Sequence, residues 1–122
     1  MQQEITNKKQ TTKQNKNTIL GNKEITETAI VSTRISSTGT KKWYLNGQLH
    51  RDDDLPAVAY KNGSECWYIR GTRHREYNKP AVILCNGNVK YEEYWNNGEF
   101  ISGHIFIDDI HICDCDFSRV EN

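Results

Sequence analysis

The apolar and polar positions of this chain repeat themselves over residues 43–91. Trp43-Tyr44-Leu45-Asn46-Gly47-Gln48-Leu49-His50-Arg51 returns 24 residues later as Trp67-Tyr68-Ile69-Arg70-Gly71-Thr72-Arg73-His74-Arg75. Pro56-Ala57-Val58-Ala59-Tyr60-Lys61-Asn62-Gly63 returns at the same spacing as Pro80-Ala81-Val82-Ile83-Leu84-Cys85-Asn86-Gly87. A fixed period of this size marks a repeat array, in which each unit is one supersecondary element stacked on the next. Short β-branched and aromatic runs bounded by Asn-Gly turn signals predict hairpins. The expected fold is therefore all-β, a single long sheet of antiparallel hairpins.

Turn chemistry sets an expected register. A two-residue turn at Asn46-Gly47 puts Tyr44 opposite Leu49 and Trp43 opposite His50, and one at Arg70-Gly71 puts Trp67 opposite His74. The same rule at Asn62-Gly63 and Asn86-Gly87 sets Val58 opposite Trp67 and Val82 opposite Tyr91. In the third unit the turn Asn97-Gly98 comes 27 residues after Arg70-Gly71. Two counts are open there. The longer hairpin, which is preferred, places Tyr91 against His104; the rival lets Tyr94 echo Trp67, face Ile101, and absorb the extra residues in a bulge. Trp43–His50, Trp67–His74 and Tyr91–His104 are thus the expected aromatic–histidine pairs. Trp43, Trp67, Val58, Val82 and Ile69 make the face to be buried, with residues 19–30 and 105–112 as its available covers.

Outside the repeats the pattern weakens. Residues 2–17 are almost wholly polar and lack periodicity, so residues 1–18 are expected to form a basic arm, disordered unless a partner orders it. Residues 19–117 make the hairpin domain, with units at about 30–47, 48–71 and 72–98 and closing strands over 99–113. Asp108-Asp109 is expected as a bend or bulge, and residues 118–122 as a frayed tail.

The wording Trp-Tyr-x-Asn-Gly-x-x-His-Arg, then Asp-x-x-x-Pro-Ala, then Asn-Gly-Ser-x-x-Trp-Tyr resembles the MORN repeat and its variants. In particular, Leu49-His50-Arg51-Asp52-Asp53-Asp54-Leu55-Pro56-Ala57 is similar to repeats carried in many copies by large DNA viruses and phages. The resemblance covers about residues 30–104. It implies hairpins stacked into one antiparallel sheet, a viral or phage origin, and a role among scaffolds, membrane-associated modules and antitoxin-like proteins. The array here is short, which favours a compact partner-binding domain over an extended scaffold.

Composition narrows the function classes. All 12 aromatic residues lie between Trp43 and Phe117, so the packable part is about 80 residues, a size at which burial alone gives marginal stability. Charge is zero overall but ordered: residues 1–42 carry 8 Lys/Arg against 3 Asp/Glu, and residues 104–122 carry 1 against 5. A basic head and an acidic tail can attract each other. The zero sum argues against a dedicated nucleic-acid binder and leaves only weak attraction through the arm. No early apolar run has signal-peptide length and no segment is long enough to span a bilayer. Four cysteines in that setting read as reduced thiols, and an intracellular location (host cytoplasm or virus particle) is expected.

Candidate chemistry is sparse. Equivalent histidines in successive units lie two strands apart, roughly 9.5 Å at ~4.8 Å per strand, too far to share one metal through ~2.0–2.1 Å bonds. His50, His74 and His104 are accordingly read as structural. His111 with Cys113 and Cys115 could make a thiol–imidazole cluster, against the blander reading of a strand end. Asp52, Asp53 and Asp54 read as a solvated loop. No nucleophile has a neighbouring base and no glycine loop cradles phosphate, so no enzyme activity, cofactor or metal is expected. By alternation Arg51 and Arg75 should share the second sheet face with Tyr44 and Tyr68, a Tyr–Arg composition that interfaces favour. The expected function is a non-enzymatic interaction or assembly module with a protein partner or with itself. The alternative is an inhibitor or antitoxin-like protein that neutralises an enzyme or sequesters its small-molecule signal.

Overall fold

The computed structural model describes residues 4–14 and 25–115, and these form an all-β structure. The polar N-terminus supplies β1 (Glu4–Gln14), followed by β2 (Ile25–Ile35), β3 (Lys41–Leu45) and β4 (Gln48–Leu49). Four two-residue strands come next: β5 (Val58–Ala59), β6 (Glu65–Cys66), β7 (Tyr68–Ile69) and β8 (Thr72–Arg73). The C-terminal part is β9 (Val82–Asn86), β10 (Val89–Asn96), β11 (Glu99–Ile107) and β12 (Ile110–Cys115). Every pairing is antiparallel. The main sheet runs β1-β2-β3-β5-β6-β9-β10-β11-β12 with β4 attached to β3, while β7 and β8 form a hairpin of their own. The expected single sheet is thus one large sheet plus a detached hairpin.

β1 departs from the expectation of a disordered arm. Each residue from Glu4 to Gln14 pairs with β2, Glu4 opposite Ile35 and Gln14 opposite Ile25. Backbone pairing along 11 residues holds a strand whose sequence offers no apolar face. The expectations for residues 15–24, including the first part of the proposed cover, and for the tail at 118–122 lie outside the described residues.

Three tips turn as the sequence dictates. Asn46-Gly47, Arg70-Gly71 and Asn97-Gly98 all have positive φ at both positions, as a type I′ turn requires. They set Tyr44 opposite Leu49, Ile69 opposite Thr72 and Asn96 opposite Glu99. Asp108-Asp109, expected as a bend or bulge, is a fourth turn of this kind, joining Ile107 to its partner Ile110.

The opposite ends turn differently and shift the register. At Asn62-Gly63 the loop has three residues: the Tyr60 N–H donates to Ser64 O (2.8 Å), Gly63 N–H donates to Tyr60 O (3.0 Å), and Gly63 takes a φ of 91°. Asn62 Oδ1 accepts the Ser64 N–H at 2.9 Å and closes the loop. Val58 therefore faces Cys66 rather than Trp67, and one residue of slip moves Trp67 to the other face. In the next unit the turn is Gly87-Asn88, so Val82 faces Glu93 and Tyr91 faces Leu84.

Those shifts decide the core. Val58, Cys66 and Val82 are its buried centre, and Leu49, Tyr68 and Trp95 pack onto them. The cover comes from the hairpins folding back, not from residues 105–112, which extend the sheet as β11 and β12. Trp67 alone separates β6 from β7 and marks the corner where the chain leaves the main sheet.

Successive tips rest on one another. Gly71 N–H donates to Leu49 O (2.8 Å) and Gly98 N–H to Arg73 O (2.9 Å). Beside each bond the neighbouring turn residue reaches a histidine: Arg70 N–H donates to His50 Nδ1 at 2.9 Å and Asn97 N–H to His74 Nδ1 at 3.0 Å. The first tip meets β2 instead, with Asn46 N–H on Ile30 O at 2.8 Å and Ile30 N–H on Asn46 Oδ1 at 2.9 Å.

Candidate interaction surface

The repeated residues build the same device twice. β4 ends at Leu49 and β8 at Arg73, so the His-Arg pair that follows each strand is free of strand alternation. His50 N–H donates to Trp43 O (3.0 Å) and His74 N–H to Trp67 O (3.3 Å). Each guanidinium then folds onto its own tryptophan, Arg51 over Trp43 and Arg75 over Trp67, both 3.8 Å from the ring centre. The same two arginines donate to Pro56 O (3.3 Å) and Pro80 O (3.0 Å), pinning the return of the loop. Since Nδ1 of each histidine already accepts a backbone N–H, Nε2 carries the proton. It donates to Asp52 in the first unit (2.8 Å) and Glu76 in the second (2.9 Å).

The face expected for Arg51 and Arg75 is thereby corrected. They lie with the tryptophans; Tyr44 lines a groove together with Arg51, whereas Tyr68 turns to the core. Tyr68 packs on the core and its hydroxyl accepts a bond from Arg73 at 2.6 Å. Arg73 lies between the Tyr68 and Trp95 rings, 5.2 and 4.9 Å away. Tyr44 is capped by Arg34 at 5.3 Å. Tyr91 faces Ile105, because the bulge at Ile101 moves β11 by one residue; His104 instead stands edge-on to Tyr94 at 5.4 Å.

Between the Trp–Arg stacks and the loops runs a row of three grooves. The first, about 230 Å³, is bounded by Trp43, His50, Arg51, Asp52 and Leu55. The second, about 390 Å³, is bounded by Trp67, Ile69, Arg75, Asp53 and Tyr77. The third, about 460 Å³, runs from Tyr77 and Lys79 to Tyr94, Ile101 and His104. Each loop carries two successive residues in the left-handed region, Asp53 (63°) and Asp54 (57°), then Tyr77 (63°) and Asn78 (53°). Aspartate and asparagine tolerate that conformation; tyrosine does not readily. Tyr77 holds it while 82% exposed, standing between the second and third grooves.

Asp54 ties the two loops together. Arg75 Nε donates to Oδ1 at 2.9 Å and Lys79 Nζ to Oδ2 at 2.8 Å, and these two cations hold the carboxyl down at about 2. Its folded value lies below its ordinary 3.8, so its contribution to stability is present above about pH 4 and is lost as pH falls through about 2. Asp54→Asn is expected to lower Tm at pH 7 and to close that gap as pH falls to 2. A gap between wild type and variant that stays constant from pH 7 to pH 2 would contradict the assignment.

At the far edge the structure gathers residues that the sequence did not connect. His104 Nδ1 lies 2.6 Å and His111 Nε2 2.8 Å from the same oxygen, Oδ1 of Asp114. The two rings hold the Asp114 carboxyl below the usual range. Cys113 faces Ile105 and Cys115 faces Gly103, on the side of the sheet away from His104. The possible His111–Cys113–Cys115 cluster is therefore not assembled.

No protein-family model, curated protein or solved structure matches the chain. Among the described residues no helix is long and apolar enough to cross a membrane.

Proposed function

We propose that this chain is a non-enzymatic protein–protein interaction or assembly module of the MORN-like kind, and that it receives its partner along the row of grooves. Tyr77 carries the reading. A bulky aromatic in the left-handed region costs on the order of 1 kcal/mol or more, and such strain gathers where it serves binding. An aromatic exposed at a groove rim is also the residue type that dominates binding energy at interfaces. Ile69, Leu55 and Ile101, all exposed, line the same grooves with Arg51, Arg75 and the loop acids around them. That is an apolar floor with a charged rim, the anatomy of a recognition surface. The 24-residue recurrence and the stacked antiparallel hairpins support the MORN-like reading.

The test separates fold from function. Tyr77→Asn is expected to raise stability by about 1 kcal/mol, since asparagine accepts the left-handed conformation. Combined with Ile69→Ser, it is expected to reduce capture of the partner from the native setting by about tenfold or more, the effect of losing a central anchor. Undiminished capture by the folded double variant would overturn the proposal.

A further inference from the structure

We infer that His104, His111 and Asp114 form a binding site for a divalent transition-metal ion of the zinc class. His104 Nδ1, His111 Nε2 and a carboxylate oxygen of Asp114 all lie within 4.8 Å of one another. A tetrahedral ion with bonds of ~2.0–2.1 Å places its ligand atoms about 3.3 Å apart. The two hydrogen-bonded separations here, 2.6 and 2.8 Å, open to that spacing with shifts of under about 1 Å once the ion replaces the bridging protons. Two neutral imidazoles and one carboxylate are the ligand set this class of ion prefers, and three protein ligands leave a position for water or an outside group.

The backbone is built to make this meeting. His104 on β11 pairs directly with Asp114 on β12. Simple alternation would send His111 and Asp114, three residues apart, to opposite faces of β12. A bulge at Ile112 turns them to the same face, so that Ile105 pairs with Cys113 but Phe106 with His111. Re-aiming a side chain is what bulges beside functional sites do.

The surroundings fit a liganding role for His104. Its other nitrogen, Nε2, lies 3.0 Å from Ser102 Oγ, so a ring that binds metal through Nδ1 can donate Nε2–H to that hydroxyl, as metal-bound histidines characteristically do to a neighbouring acceptor. Tyr94 at 5.4 Å from His104 and Phe106 at 5.3 Å from His111 restrict the rings. The bound ion would fasten β12, the last strand of the sheet, to β11.

Titration of the full-length, reduced chain with Zn2+ by calorimetry, and with Co2+ by absorption, tests the site. One ion per chain is expected, with a Co2+ spectrum free of the thiolate charge-transfer band. His111→Ala and Asp114→Asn should each weaken binding by about tenfold or more, and Ser102→Ala by about tenfold. Cys113→Ser/Cys115→Ser should leave binding unchanged. Binding that survives His111→Ala, that disappears with the cysteines, or that is absent at 100-fold excess of ion over protein would overturn the inference.

Discussion

Replacing Trp67 by alanine is expected to remove about 3–5 kcal/mol of stability, the range for deleting a buried large aromatic. Against a typical total of ~5–15 kcal/mol this is a severe loss. Trp67 is 6% exposed and sits at the corner between β6 and β7. Its indole N–H donates to Asp54 O (3.0 Å), its backbone N–H to Ala81 O (2.7 Å), and Arg75 covers its ring. Removing the indole would leave the Asp54 carbonyl without this donor and the Arg75 guanidinium without the ring it stacks on. Trp43→Ala, at the half-buried equivalent position, should cost clearly less. Urea midpoints of the two variants decide the matter; a Trp43→Ala loss as large as that of Trp67→Ala would show that the corner is not the keystone of the fold.

Gly103→Val is the second substitution with a large expected effect. The ring of Tyr91 crosses the strand at this glycine, and a Cβ built there would stand 2.6 Å from the phenol oxygen. The position has ordinary strand geometry, so the glycine serves space and not backbone conformation. Tyr91 is held over it by a bond from its hydroxyl to Glu93 Oε2 (2.9 Å), and Trp95 Nε1–H donates to the other oxygen at 3.0 Å. Burial, and then Glu93, push the Tyr91 hydroxyl well above its ordinary pKa, so it remains a donor. Valine would displace the ring from this network, at a cost of about 1–3 kcal/mol for overpacking. In a Tyr91→Leu background the same change should cost less than in the wild type, and the two effects should fail to add. Additive losses would mean that Tyr91 and Gly103 are not coupled.

What the sequence made legible was the part fixed by local chemistry. Asn46-Gly47, Arg70-Gly71 and Asn97-Gly98 can hardly be other than tight turns, and they carried the tip pairings with them. What escaped was decided by single residues. Asn62 Oδ1 closing on Ser64 and the bulges at Ile101 and Ile112 each move a register by one and reverse which side chains share a face, while the choice of Gly87-Asn88 over Asn86-Gly87 moves the pairing by two, changing partners but not faces. The Arg–Trp stacks were missed for a related reason: alternation was extended past Leu49 and Arg73, where the strands end. β1 was missed because its pairing is backbone pairing, which leaves no apolar pattern to read. The His104–His111–Asp114 group could have been suspected only by anyone ready to bend β12.

The way each tip leans on its predecessor gives the array a direction. Arg70 rests on His50 and Asn97 on His74, while Asn46 rests on β2. Two different ends thus bracket units that are interchangeable at their joints. Copying one 24-residue unit in phase would insert another tip, another histidine prop and another groove without altering either end. The reach of the surface along a partner is then a matter of how many copies the gene holds, and duplication can lengthen or shorten it one groove at a time.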